Sequence, residues 1–247
     1  MTEAVVVSGL GTSTAVDLGS AIDPTVFRTA WSRCVDLAPR PPERMGPSGR
    51  VAGPYPSMTG LTRMITGELI GARVGELLML HAGAVCNTTT GATIAYAAPG
   101  GTGKSTLTRR LGKTLGYITD ETVGVEPGTW RVHPYPKPLS LRNSDTDHSK
   151  SEHDPQGLGM LVAHREPRLR ALLILRRDPT IISPIWSRLH LFDAIVALAP
   201  ETSSLGALDR PLHLLADLYR SLGGFWLVRY GEAEQIVDRV RALVEES

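Results

Sequence analysis

An apolar run at residues 92–97 leads directly into A-P-G-G-T-G-K-S at residues 98–105, and a leucine-spaced segment follows. Strand, glycine-rich turn and helix in that order form a Walker A phosphate-binding loop, and few other folds are open to a chain that carries one. Gly100, Gly101 and Gly103 place no Cβ in the way, so the backbone turns sharply and approaches a polyphosphate closely. Successive N–H groups then make an anion nest, reinforced by the positive end of the following helix. Lys104 supplies a mobile cation for β- and γ-phosphates, and Ser105 a hydroxyl for phosphate-bound Mg²⁺. The candidate nucleotide-binding residues are Gly100, Gly101, Thr102, Gly103, Lys104, Ser105 and Thr106. Ala98 stands where glycine is usual; the bland alternative is a chance glycine-rich turn.

Residues 105–115 predict the helix, with Leu107, Leu111 and Leu115 as a buried stripe and Gly116 as its stop. Arg109, Arg110 and Lys113 face outward, near the helix C-terminus where cations are favoured. The 247 residues suit one medium domain with a subdomain, or two small ones, and 42% hydrophobic with 21% charged residues describes a globule with a real core. A net charge of +1 gives no broad capture of nucleic acid or anionic membrane, and neither is expected as a partner. Cys34 and Cys86 fit no metal spacing and read as apolar fillers in a reducing compartment. With no apolar run of spanning length and no leader-like start, the expectation is a cytoplasmic protein; self-association stays open.

Residues 4–8 form a β-branched run, while residues 38–56, rich in proline and glycine, predict a long tether, surface loop or substrate-facing flap. Helical spacing covers 61–74, and 77–85 reads as a buried strand. Residues 117–125, a Pro127-Gly128 turn and residues 130–133 predict a hairpin. The proline-rich 133–141 excludes a central strand; it is a stiff connector, or the wall of an acceptor pocket with Lys137 near phosphate. Residues 143–154 (NSDTDHSKSEHD) lack large apolar side chains and predict a mobile loop able to serve as a lid. Their His148, Lys150 and His153 match no metal-ligand set. Further on, 169–175 and 225–230 read as strands, and 189–198, 211–222 and 232–244 as helices.

The second informative cluster is I-T-D-E at residues 118–121, at the end of a strand that follows the phosphate loop's helix immediately. Carboxylates at that end of a strand reach the metal and the γ-phosphate. The bland reading is that Asp120 and Glu121 merely start a turn.

These residues resemble the HPr kinase/phosphorylase family, whose phosphate loop is built like that of phosphoenolpyruvate carboxykinases. L-H-A-G-A-V at 80–85 is similar to the family's strand motif before the loop, and Gly116 to Glu121 to its strand ending in two acids, with Glu121 where aspartate is usual. D-P-Q-G-L-G at 154–159 keeps an acid and the glycines of a further signature, with Gln156 in place of arginine. The resemblance implies an α/β fold: a P-loop core with a mixed sheet plus C-terminal helices. It divides the chain into an N-terminal segment (1–56), a kinase core (57–180) and a helical part packed on it (181–247). It implies a kinase using ATP and Mg²⁺, with the γ-phosphoryl passing to a hydroxyl of a protein, a peptide or a small metabolite. The catalytic set it implies is Asp120 as base, Glu121 as its companion, Lys104, and His81 near the phosphates, with Ser105, Asp120 and Asp154 toward the metal. For His81, a strand-end histidine satisfied by backbone is the bland alternative. Rival readings are a regulatory ATPase that switches partner binding, or a nucleotide-binding module without catalysis.

Overall fold

The computed structural model describes residues 4–35, 49–53, 55, 57–142 and 150–246. The chain opens with β1 (Ala4–Gly9), β2 (Thr12–Asp17), α1 (Pro24–Ala30), β3 (Arg50–Val51) and α2 (Met58–Gly71). There follow β4 (Leu78–Cys86), β5 (Ala92–Ala97), α3 (Lys104–Leu111), β6 (Gly116–Thr119), β7 (Thr122–Val125), β8 (Val132–His133), β9 (Leu139–Arg142) and β10 (Lys150–His153). Then come β11 (Leu161–Val162), β12 (Arg168–Arg177), β13 (Ile185–Arg188), α4 (Leu191–Leu198), β14 (Thr202–Ser203), α5 (Pro211–Ser221), β15 (Trp226–Tyr230) and α6 (Val237–Glu245). They divide into two compact units, residues 1–74 with 135–159, and residues 75–134 with 160–247, so the boundaries expected at 56 and 180 are not those of the units.

In the first unit, Leu10 and Gly11 both take positive φ (54° and 70°), the two-residue turn that matches strand twist and joins β1 to β2. Asp23 accepts hydrogen bonds from the amides of Thr25 and Val26, and Pro24 occupies the first position of α1. Leu61, Ile65 and Leu69 bury one face of α2. Three expectations change here. The proline- and glycine-rich stretch contains β3, which runs parallel to β2. Of the supposed polar lid, residues 150–153 form β10, antiparallel to β9; its residues 143–149, with His148, lie outside the described residues. Backbone pairing supplies what that stretch lacks in apolar side chains. Lys137 is also buried, donating its Nζ to the Pro138 carbonyl at 3.0 Å, so it is no solvent-facing phosphate ligand.

The second unit is built on a mixed sheet in the order β11-β6-β4-β5-β12-β15-β13, with β7, β8 and β14 branching from it. Alternation along the strands sends side chains to two covers. Leu172 and Ile174 of β12 join Ala194 and Leu198 of α4 and Leu215 and Leu218 of α5. Leu173 and Leu175 join Leu107 and Leu111 of α3 and Val240 and Val244 of α6. The last two helices expected from the sequence are thus parts of this core, and the sheet that they cover carries the glycine-rich loop at the end of β5. Among the described residues no helix is long and apolar enough to cross a membrane.

Candidate nucleotide site at the end of the central strands

The loop leaves β5 after Ala97 and enters α3 at Lys104. Gly101 and Gly103 stand at φ +80° and +98°, left-handed positions that a side chain would strain. A Cβ at Gly100 or Gly101 would meet nothing within 4 Å, so the concavity is open where a ligand would lie. No side chain caps the first turn of α3, which leaves its amides for a ligand or water. The Ala98 methyl is 1% exposed and packs with Tyr96 and Leu107; a core contact occupies the position where glycine is usual.

Lys104 is buried, and its ammonium donates to two carbonyls of its own loop, those of Ala98 and Pro99. A phosphate chain entering the nest offers oxygens in exchange for those carbonyls. The loop is braced from both sides. The Thr102 hydroxyl donates to the Pro99 carbonyl at 2.5 Å, and the Tyr230 hydroxyl donates to the Thr102 carbonyl at 2.6 Å. Burial pushes the Tyr230 phenol up to about 12, so it remains a donor. Ser105 is half-buried and Thr106 exposed, on the first turn of α3.

Strand register brings the acids to the loop. β6 and β7 form one antiparallel partner along β4, with Thr119 opposite Ala84 and Thr122 opposite His81. Asp120 and Glu121 are the break between them, and the Glu121 carbonyl accepts the Ala82 amide at 3.1 Å. On the other side of β4, Ala82 pairs with Ala97, the last residue before the loop. Residues 81–83 therefore stand between loop and acids, which are two strand spacings, roughly 10 Å of backbone, apart. The hairpin expected from 117 onward is present as β7 and β8, but its first strand is interrupted where the two carboxylates sit. Asp120 is 5% exposed and accepts a hydrogen bond from the Tyr117 hydroxyl at 3.3 Å; Glu121 is half-buried.

His81 is half-buried among these charges. Burial, then the Lys104 cation, hold its imidazole below the ordinary histidine pKa, while Glu201, Glu121 and Asp120 pull the other way. The ring is neutral at neutral pH. Glu201 was not singled out by the sequence: it ends a 3-10 turn that β14, paired to the first half of β4, brings beside His81. Tyr230 likewise gave no sequence signal, because its partner lies 128 residues away.

Asp154 belongs to the first unit, and its carboxylate accepts from the Ser32 hydroxyl and from the amides of Gln156 and Gly157. It shapes its own turn. Among the described residues no group of three histidine, cysteine or carboxylate side chains is placed to hold a metal. Of the residues expected toward a metal, Ser105 stands on the first turn of α3 and Asp120 at the break between β6 and β7.

No family model matches the chain, and no curated protein sequence matches it. Among solved structures it is similar to the Hpr(Ser) kinase/phosphatase from Coxiella burnetii, at 9% identity and a TM-score of 0.36, over 68% of this chain and 99% of that one. A likeness of that size gives no residue of this chain a role.

Proposed function

We propose that the chain is an ATP-dependent kinase that transfers the γ-phosphoryl group to a hydroxyl, on a serine or threonine of a protein or peptide or on a small metabolite. One observation carries this reading: a neutral histidine and a buried aspartate stand one and two strands away, respectively, from a glycine loop whose lysine is held in reserve by its own carbonyls. Phosphoryl transfer spreads negative charge over the γ-phosphoryl oxygens, so positioned cations and donors do most of the work. Lys104 and the amides of residues 100–105 hold the phosphates, and Ser105 and Asp120 would hold Mg²⁺. Bound there, the metal would supply charge neutralisation on the phosphate oxygens. Asp120 accepts the proton of the acceptor hydroxyl, with Glu121 as its companion, and the neutral His81 donates a hydrogen bond toward the phosphoryl oxygens. Asp154 takes no part in this scheme.

With labelled ATP and a panel of hydroxyl acceptors, D120N should keep ATP affinity within about threefold while losing about a hundredfold or more of transfer, the scale of general base catalysis. E121Q should lose less. If E121Q is the more damaging, the base is misassigned; if neither changes transfer, the kinase reading fails.

A further inference from the structure

The acids and His81 lie on the β4 side of β5, whereas β12 borders β5 on the other side. A triphosphate held by the loop with its γ end toward Asp120 must leave by its α end toward β12. A cleft of about 310 Å³ is present there, at the lower end of the range of ligand pockets, roughly 300–1,000 Å³. Its walls are loop residues 99–102 and, from the end of β12 onward, Leu175, Arg176, Arg177 and Pro179.

The two arginines differ. Arg177 donates to the Gly231 carbonyl at 3.0 Å and pairs with Glu232 at 2.6 Å, so it is committed to the loop after β15. The guanidinium of Arg176 is exposed and makes no hydrogen bond or ion pair among the described residues. Its cross-strand neighbour is Arg229. The nearby carboxylate, Asp178, already takes Arg229 at 3.7 Å together with the amide and hydroxyl of Thr180. The cleft thus offers one uncompensated planar cation near two exposed prolines, Pro99 and Pro179. Its one hydroxyl, that of Thr102, is engaged with the Pro99 carbonyl. A purine face stacks on a guanidinium, and stacking of this kind does not distinguish adenine from guanine.

We infer that the nucleoside of the bound nucleotide lies in this cleft against Arg176, and that the site accepts adenine and guanine nucleotides alike. This rests on the phosphate-loop reading above. The test is calorimetry on the full chain with ATP, GTP and inorganic tripolyphosphate, each with Mg²⁺, for the wild type, R176A and K104A. Wild-type affinities for ATP and GTP should agree within about threefold, since stacking on Arg176 does not discriminate the bases. R176A should weaken both by about tenfold and leave tripolyphosphate within about twofold. K104A should weaken all three. Unchanged ATP binding in R176A, an equal loss for tripolyphosphate, or a marked preference between ATP and GTP overturns the inference. Wild-type tripolyphosphate affinity in K104A, or no binding of any of the three by the wild type, overturns the phosphate-loop reading instead.

Discussion

The His81 imidazole links stability to pH. Its pKa is lowered in the folded chain, chiefly by burial and next by Lys104, so on acidification the unfolded chain takes the proton first. The stability this group permits is complete above the ordinary histidine value, about pH 6.5, and falls as pH drops below it toward the folded pKa. H81Q should flatten that acid-side decline in urea midpoints measured between about pH 5 and pH 7.5. An unaltered slope in H81Q would assign the decline to another group. The same residue shows how far the sequence reaches: the L-H-A-G-A-V string marks His81 as a candidate, but its neighbours Lys104, Glu121 and Glu201 come from three other stretches of the chain. No pattern local to His81 announces them.

At the scale of elements, α3 is pressed onto β4 and β5 without space for a methyl group. A Cβ on Gly83 would lie 2.3 Å from Cε2 of Tyr96 and 2.7 Å from the Thr108 hydroxyl, and that ring and hydroxyl are bonded to each other at 2.5 Å. G83A should lower stability by about 1–3 kcal/mol in chemical denaturation, the usual cost of overpacking. An unchanged midpoint would show that Tyr96 repacks freely. The loop depends on β15 in turn. Y230F removes the hydrogen bond to the Thr102 carbonyl, worth about 0.5–1.5 kcal/mol, and should weaken tripolyphosphate binding by about two- to tenfold. Equal affinity in Y230F would mean that Thr102 is held without the tyrosine. Elements rich in apolar period were legible, such as β4, β5 and α3. β2 (TSTAVD), β10 (KSEH) and β13 (IWSR) were not, since their polar or mixed residues owe their extended form to a pairing partner.

For the whole molecule, the proposed kinase should hydrolyse ATP slowly without an acceptor, well below about 1 s⁻¹, because its site positions a hydroxyl and gives water no dedicated group. Steady-state ADP release measures this, and acceptor-free turnover at about 1 s⁻¹ or above would favour a regulatory ATPase. The sequence by itself determined the glycine-rich loop, the helix after it and the acidic pair, since glycine spacing, a leucine period and a strand end are local properties that backbone sterics and burial translate directly. Only the tertiary structure decided what surrounds the loop. β4 pairs with β5 on one side and with the interrupted β6–β7 strand on the other, which sets His81 between Lys104 and Asp120. β12 and β15 then bring Arg176 and Tyr230 to the loop's other flank. Those neighbours follow from strand order and register, long-range hydrogen-bond pairings that no short stretch of the chain encodes alone.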